Sequence, residues 1–169
     1  TPADLVKDLP GNNEAKAETI DNNLQHEIVK KMSSNSVYYG KLSEMLKKII
    51  LQRKIEAMSY EEYLRQVVEL AEAILHPENS GSYPDGIKDS AARRALYDHF
   101  EANFELTIDV DGAIRVSIRP EWKRNFQKQQ RIRLAIYQKL LLHSYSEDKA
   151  TEETQNVFDI AQRQEEYDV

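Results

Sequence analysis

FELTIDVDGAIRVSI, residues Phe104 to Ile118, is the stretch that decides whether this chain is wholly helical or mixed. Apolar residues alternate with polar ones on both sides of Asp111-Gly112, and that pair is a strong signal for a hairpin turn. A lone hairpin is barely stable in water, so it would have to lie against helices. A short helix from Asp111 to Ser117 is the alternative, and this stretch by itself leaves both interpretations open.

Most of the remaining sequence has the period of a helix. Apolar residues recur three or four positions apart, and a capping-box pattern of Ser59 and Glu62 begins one helix that Pro77 ends. The region after Pro120 carries the wide apolar stripe of a central helix. The predicted helices cover about residues 13–32, 38–54, 59–76 and 90–100, the region after Pro120 and a last segment from Thr151. The fold is therefore predicted to be mainly α, an irregular bundle of about six helices, with residues 104–118 as a possible exception.

Length and composition predict a single domain. The chain has 169 residues, no cysteine and no apolar run near the roughly 20 residues that cross a bilayer, which favours a soluble, cytoplasmic protein. It begins at Thr1 without a methionine, so we expect it to be a piece of a longer polypeptide. Residues 1–12 are predicted to be a flexible lead-in. Residues 77–89 are predicted to be an internal loop, because this stretch is rich in turn-forming residues.

Charge is unevenly distributed along the chain. The formal net charge is -6, yet residues 120–140 hold six basic residues and one acid, whereas residues 141–169 hold eight acids and two bases. Basic residues on one helix face can neutralise phosphates, and Trp122 could offer a stacking surface. A solvated charged face with Trp122 in the core is the alternative interpretation. The candidate residues for DNA or partner binding are Lys47, Lys48, Arg93, Arg94, Trp122, Lys123, Arg124, Asn125, Lys128, Arg131 and Arg133.

The sequence contains no motif that predicts catalysis. Phosphate-binding loops, HExxH and glycine-rich dinucleotide turns are absent, and the four histidines lie far apart without ligands at helical spacing, so neither a catalytic residue nor a metal ligand is predicted. One pattern suits a Mg²⁺-dependent nuclease: Asp85, with Glu121 and Lys123 downstream. Asp85 is predicted in a loop and Glu121 at a helix start, so the two carboxylates are not expected to converge on neighbouring strands.

Several segments resemble the C-terminal region of the restriction, or motor, subunit of type I restriction-modification enzymes. Residues 38–44 (YYGKLSE) resemble the family's YYxKLSE helix start, residues 93–98 (RRALYD) its RRALYDN stretch and residues 122–125 (WKRN) its WRGN element. Further similar segments are YEEYL at 60–64, VELA at 68–71 and AQRQEEY at 161–167. Arg124 stands where that family usually has glycine, which puts a transfer of function to Asn125 in doubt. The family tends to be helical where Asp111-Gly112 occurs here, which favours the helical alternative at residues 104–118.

This resemblance implies a function for the chain. The parent polypeptide would be an ATP-dependent DNA translocase and endonuclease, with ATP and Mg²⁺ bound elsewhere and no cofactor in this piece. The chain itself would be a non-catalytic assembly and DNA-binding domain that docks the motor subunit onto the modification and specificity subunits and lines the path of double-stranded DNA. The alternatives are the nuclease module described above and a purely structural cap of the parent protein.

Overall fold

The computed structural model of this protein describes residues 11–169, so most of the predicted lead-in, residues 1–10, lies outside the described part. The α-helices of that part are α1 (Asn13–Lys31), α2 (Ser36–Lys54), α3 (Tyr60–Leu75), α4 (Ala91–His99), α5 (Phe104–Ser117), α6 (Phe126–Leu142) and α7 (Glu147–Gln162). Short 3-10 helices occur at Pro77–Asn79, Trp122–Arg124 and Glu165–Tyr167. Residues 11–169 contain no β-strand, which confirms the mainly α prediction.

The chain divides into two compact units where the sequence predicts one domain. The first ends at Ser82 and the second begins at Tyr83, inside the predicted loop 77–89. The only regular element of this loop is the 3-10 helix Pro77–Asn79. The helical pattern is interrupted here because the loop is rich in glycine, serine and proline.

The first unit is built from α1, α2 and α3, each of which packs against the other two. Its core is formed by side chains spaced three or four residues apart, which places them on one face of each helix. Those of α1 and α2 are Ala17, Ile20, Leu24, Ile28, Tyr38, Tyr39, Leu42, Leu46 and Ile49. Those of α3 are Tyr63, Val67, Leu70, Ala71 and Ile74.

The second unit is organised around α6, which packs against α5 on one side and α7 on the other. This arrangement confirms the central helix that the sequence predicts after Pro120. Helix α4 contacts α5, α7 and the final 3-10 helix. The apolar core includes Leu96, Val110, Ile114, Ile132, Ile136, Leu140, Val157 and Phe158.

Helix α5 shows that the hairpin interpretation of residues 104–118 is wrong. Asn103 begins the helix, because its side-chain oxygen accepts a 3.1 Å hydrogen bond from the backbone nitrogen of Leu106. Leu106, Val110 and Ile114 are four residues apart and all buried. In a hairpin, the alternating residues Ile114 and Val116 would lie on the same face. Here Ile114 is buried, whereas Val116 is 74% exposed. Tertiary burial of one helical face therefore outweighs the local turn signal of Asp111-Gly112.

The last helix begins four residues earlier than the sequence suggests. Ser146 caps α7 by accepting a hydrogen bond from the backbone nitrogen of Lys149 at 3.3 Å, so the helix starts at Glu147 rather than at Thr151. Thr151 lies inside the helix, and its hydroxyl donates to the carbonyl of Glu147. In residues 11–169, no helix combines the length and apolar character that crossing a membrane requires.

Candidate functional site

Trp122 is part of the core of the second unit and does not present an exposed ring. The side chain is 1% exposed, and its indole nitrogen donates a 2.7 Å hydrogen bond to the carbonyl of Tyr167. Its ring meets that of Phe158 edge to face, with 5.9 Å between the centroids. The structure thus corrects the prediction that Trp122 contacts DNA or a partner. Its role is to anchor the chain's last residues beside α7.

Lys123 also contacts the last residues. Its ammonium group donates to the carbonyl of Gln164 at 3.1 Å, forms an ion pair with Asp168, and lies 5.6 Å from the centroid of the Trp122 ring. The charge of Lys123 is therefore compensated within the chain, which lowers its value as a phosphate ligand.

Asn125 and Lys128 have structural contacts at the beginning of α6. The side-chain oxygen of Asn125 accepts a 3.0 Å hydrogen bond from the backbone nitrogen of Lys128 and so caps the helix. The ammonium of Lys128 donates to the carbonyl of Pro120 at 2.6 Å. An ammonium group has three donors, so Lys128 keeps two for another acceptor.

Arg124 and Arg131 are the exposed arginines of this basic segment. Within residues 11–169, neither side chain has an ion pair or a hydrogen bond. Arg131 follows Lys128 by three positions, so the two residues are neighbours on the surface of α6. The beginning of α6 therefore displays two uncompensated guanidinium groups and one partly available ammonium.

Arg133 points toward α7 instead. Its guanidinium donates to the side-chain oxygen of Gln155, and its central carbon lies 4.0 Å from the centroid of the Phe158 ring. Such a cation–π contact fixes the side chain against a neighbouring helix. Lys123 and Arg133 thus have partners inside the second unit, whereas Arg124 and Arg131 have none within residues 11–169.

Arg93 and Arg94 hold the loop before α4. Arg93 donates to the carboxylate of Asp111 at 2.8 Å and to the carbonyl of Gly86 at 2.8 Å. Arg94 donates to the carbonyl of Lys88. The sequence predicts that these two arginines bind DNA or a partner. In the structure, both have contacts that stabilise the second unit.

Asp111 is the centre of a polar network that the sequence does not reveal. Its fully buried carboxylate accepts hydrogen bonds from Arg93, from Arg115 at 2.9 Å and from the hydroxyl of Tyr167 at 2.6 Å. Burial by itself would raise the pKa of Asp111, but the hydrogen bonds from Arg115, Tyr167 and Arg93 outweigh it and lower the pKa. The carboxylate is therefore charged, and each of its three donors lies on a different segment of the unit.

Glu166 extends this network to the beginning of α4. It pairs with Arg115 at 2.9 Å and accepts hydrogen bonds from the hydroxyl of Ser90 at 2.7 Å and from the backbone nitrogen of Ala92 at 3.1 Å. Burial acts to raise the pKa of Glu166, whereas these hydrogen bonds lower it overall. For this network, the sequence offers one signal, the four-residue spacing of Asp111 and Arg115, which is that of an ion pair along a helix.

A second buried ion pair lies in the core of the first unit. Arg53 donates to Asp21 at 2.6 Å and to Glu14 at 2.7 Å, and Asp21 also accepts a 2.6 Å hydrogen bond from the hydroxyl of Tyr63. Burial raises the pKa of Tyr63, and its hydrogen bond to Asp21 raises it further. These contacts join α1, α2 and α3 through charged groups, where the periodicity predicts only apolar packing.

The two remaining candidates, Lys47 and Lys48, lie on the outer side of α2. Both are exposed, and Lys47 pairs with Glu44 at 2.9 Å, a contact along the same helix. Neither contributes to the core of the first unit. They therefore remain candidates for a partner contact.

Asp85 and Lys123 of the nuclease pattern pair with different residues. Asp85 is an almost fully exposed loop residue that pairs with Lys88 at 3.2 Å, and Lys123 pairs with Asp168. Glu121 is exposed and has a left-handed backbone conformation, with φ at 62°. In the described part of the chain, no three His, Asp or Glu side chains are grouped as metal ligands.

No family model, curated protein or solved structure matches this chain. The resemblance to the motor subunit of type I restriction enzymes therefore stays a prediction, and the functional assignment depends on the surface described above.

Proposed function

We propose that this chain is a non-catalytic assembly and DNA-binding domain of the motor subunit of a type I restriction enzyme. The observation that carries the proposal is the exposure of Arg124 and Arg131 at the beginning of α6, without ion pairs in the described residues. Two uncompensated guanidinium groups in a segment with six bases and one acid suit the phosphates of DNA. The resemblance supplies the biological context.

The contact with DNA is made through phosphates. Lys128 adds its two remaining donors beside Arg131, and the positive end of the α6 helix dipole adds further attraction for an anion. None of these groups is positioned by a rigid network of its own, so binding is independent of base sequence and depends strongly on salt. This is the behaviour required of a surface that lines the path of moving DNA.

Docking is the second part of the proposal. The modification and specificity subunits and the rest of the motor subunit are the protein partners, in the cytoplasm. ATP and Mg²⁺ are used elsewhere in the parent polypeptide, and this piece holds no cofactor. The buried networks around Asp111 and Arg53 support this role, because each ties several segments into a fixed shape on which exposed residues can be presented.

A salt titration of DNA binding tests the proposal. The double variant Arg124→Glu/Arg131→Glu is compared with Lys30→Glu/Arg163→Glu, which changes the net charge equally at two exposed positions outside α6. Binding of a labelled duplex is measured by fluorescence anisotropy. The α6 variant is expected to bind more weakly, with the slope of log K against log salt reduced by about 1.8, or 0.9 for each phosphate contact.

The control variant is expected to retain most of the affinity and the original slope. An equal loss in both variants would show that net charge alone drives binding. Unchanged binding by the α6 variant would remove the DNA contact and leave only the docking role.

A further inference from the structure

The outer face of α2 carries a stripe of residues at heptad spacing that is apolar at its two ends and charged in the middle. Its members are separated alternately by four and three positions, which places them on one line of the helix. Positions 37 and 55 are 18 steps apart, about five helical turns, so the stripe is about 27 Å long, and Ile55 is the C-cap directly after α2. The stripe, called the α2 seam below, consists of Val37, Lys41, Glu44, Lys48, Leu51 and Ile55.

The α2 seam is exposed rather than packed in its own unit. Leu51 is 60% exposed and Ile55 64%, and Val37, Lys41 and Lys48 are exposed as well. The opposite face of α2, with Leu42, Leu46 and Ile49, already fills the core between α1 and α3. The seam therefore lies outside the core of the three-helix unit.

Charge on this side of α2 is mainly positive. Lys41, Lys47, Lys48 and Lys54 are exposed, and Glu44 is the single acid of the helix. Arg53 does not add to the outer charge, because it is buried and paired with Asp21 and Glu14. A binding partner must therefore bring acidic groups to face the lysines.

The apolar residues of the seam favour a protein over DNA. Leu51 and Ile55 together form an apolar end that a phosphate backbone would leave unmatched, whereas apolar residues of a second helix would cover them. The stripe runs along the helix axis, so a second helix lying along α2 could contact its apolar ends and the lysines between them. A second copy of α2 is also a helix that could lie along the seam. It would, however, bring its four exposed lysines close to the four of the first copy, and like charges repel.

We infer that the α2 seam binds an amphipathic helix of a partner protein, with apolar residues on its heptad positions and acidic residues beside them. This inference gives a partner chemistry to the docking part of the proposed function. It also removes Lys47 and Lys48 from the DNA contact. It is tested with a peptide, in the absence of DNA and of methyltransferase subunits, so its failure is separable from failure of the proposed function.

The probe is a dye-labelled helical peptide of three heptads, with leucine at its own a and d positions and glutamate at the positions beside them. A counterpart peptide has lysine in place of glutamate. The whole chain is titrated into each peptide and anisotropy is measured. The acidic peptide is expected to bind and the basic one to bind at least about tenfold more weakly. Lys41→Glu/Lys48→Glu is expected to reverse this preference, a result that general loss of structure cannot produce.

Leu51→Asp/Ile55→Asp is expected to weaken binding of the acidic peptide at least about tenfold. Val29→Asp on α1 is its matched control, because Val29 is 64% exposed, as Ile55 is. Unchanged peptide preference in the lysine variant would overturn the inference. So would sedimentation showing that the chain dimerises through the seam, or displacement of the peptide by duplex DNA.

Discussion

The buried carboxylate of Asp111 in α5 accepts a 2.6 Å hydrogen bond from the hydroxyl of Tyr167, 56 residues away in the final 3-10 helix. Tyr167 is itself fully buried, and its backbone carbonyl accepts from Trp122. The last residues of the chain are therefore a structural component of the second unit.

Replacing Tyr167 by phenylalanine is expected to destabilise the second unit by about 1–3 kcal/mol, because Asp111 loses one donor without a change in packing volume. Tyr137→Phe is the matched control, since the hydroxyl of Tyr137 has no hydrogen bond within residues 11–169. Urea denaturation followed by circular dichroism measures the difference. Equal midpoints for the two variants would show that the Asp111 contact contributes nothing.

Acid is expected to weaken the same network. The pKa values of Asp111 and Glu166 are lowered in the fold, so the stability they contribute is present above the ordinary carboxyl pKa, about 4, and is lost as the pH falls below it. Asp111→Asn is expected to lower stability at neutral pH and to reduce this acid dependence. Thermal melts between about pH 2 and 7 provide the measurement, and parallel curves for wild type and variant would contradict the assignment.

The ion pair of the first unit is expected to behave as a coupled pair. Arg53→Met is expected to cost about 3–5 kcal/mol, because Asp21 stays buried without its cation. Adding Asp21→Asn is expected to recover part of that loss, which a double-mutant cycle by chemical denaturation measures. Arg65→Met, which removes exposed pairs on α3, serves as the control and is expected to change little. Additive effects at Arg53 and Asp21 would contradict the coupling.

Gly112→Ala distinguishes the helix from the hairpin directly. Gly112 lies inside α5, and a methyl group there would meet no atom within 4 Å, so alanine is expected to stabilise the protein by about 0.5–1 kcal/mol. The same substitution would destabilise a type I′ turn, which needs positive φ at that position. Gly40→Ala is the matched control, because Gly40 is also helical with open space around it. Stabilisation by Gly40→Ala combined with destabilisation by Gly112→Ala would contradict the helix.

Periodicity predicts most of this fold, because burial of one helical face is a local pattern in the sequence. The cap at Ser59 and the end of α3 before Pro77 are likewise local, and the structure confirms them. Residues 104–118 are different, since α5 depends on burial against α4 and α6, which lie outside that stretch. Local turn signals alone could not decide between the two interpretations.

The candidate site was less predictable than the fold. Charge counting finds the basic segment, but it cannot show that Lys123 is paired with Asp168 or that Arg133 lies against Phe158. Likewise, Arg93 is a surface arginine by sequence, and its partner Asp111 looks like a turn residue. The contacts that decide which cations are available join residues far apart in the chain.

Association with a methyltransferase core is the most direct test of the docking claim. The whole chain is immobilised and offered the modification and specificity subunits that the proposed function names as its partners, with and without duplex DNA, and retained protein is quantified. The core is expected to be retained in both cases and more strongly with DNA. Retention of neither the core nor DNA would contradict the proposed function and favour the alternative of a purely structural role.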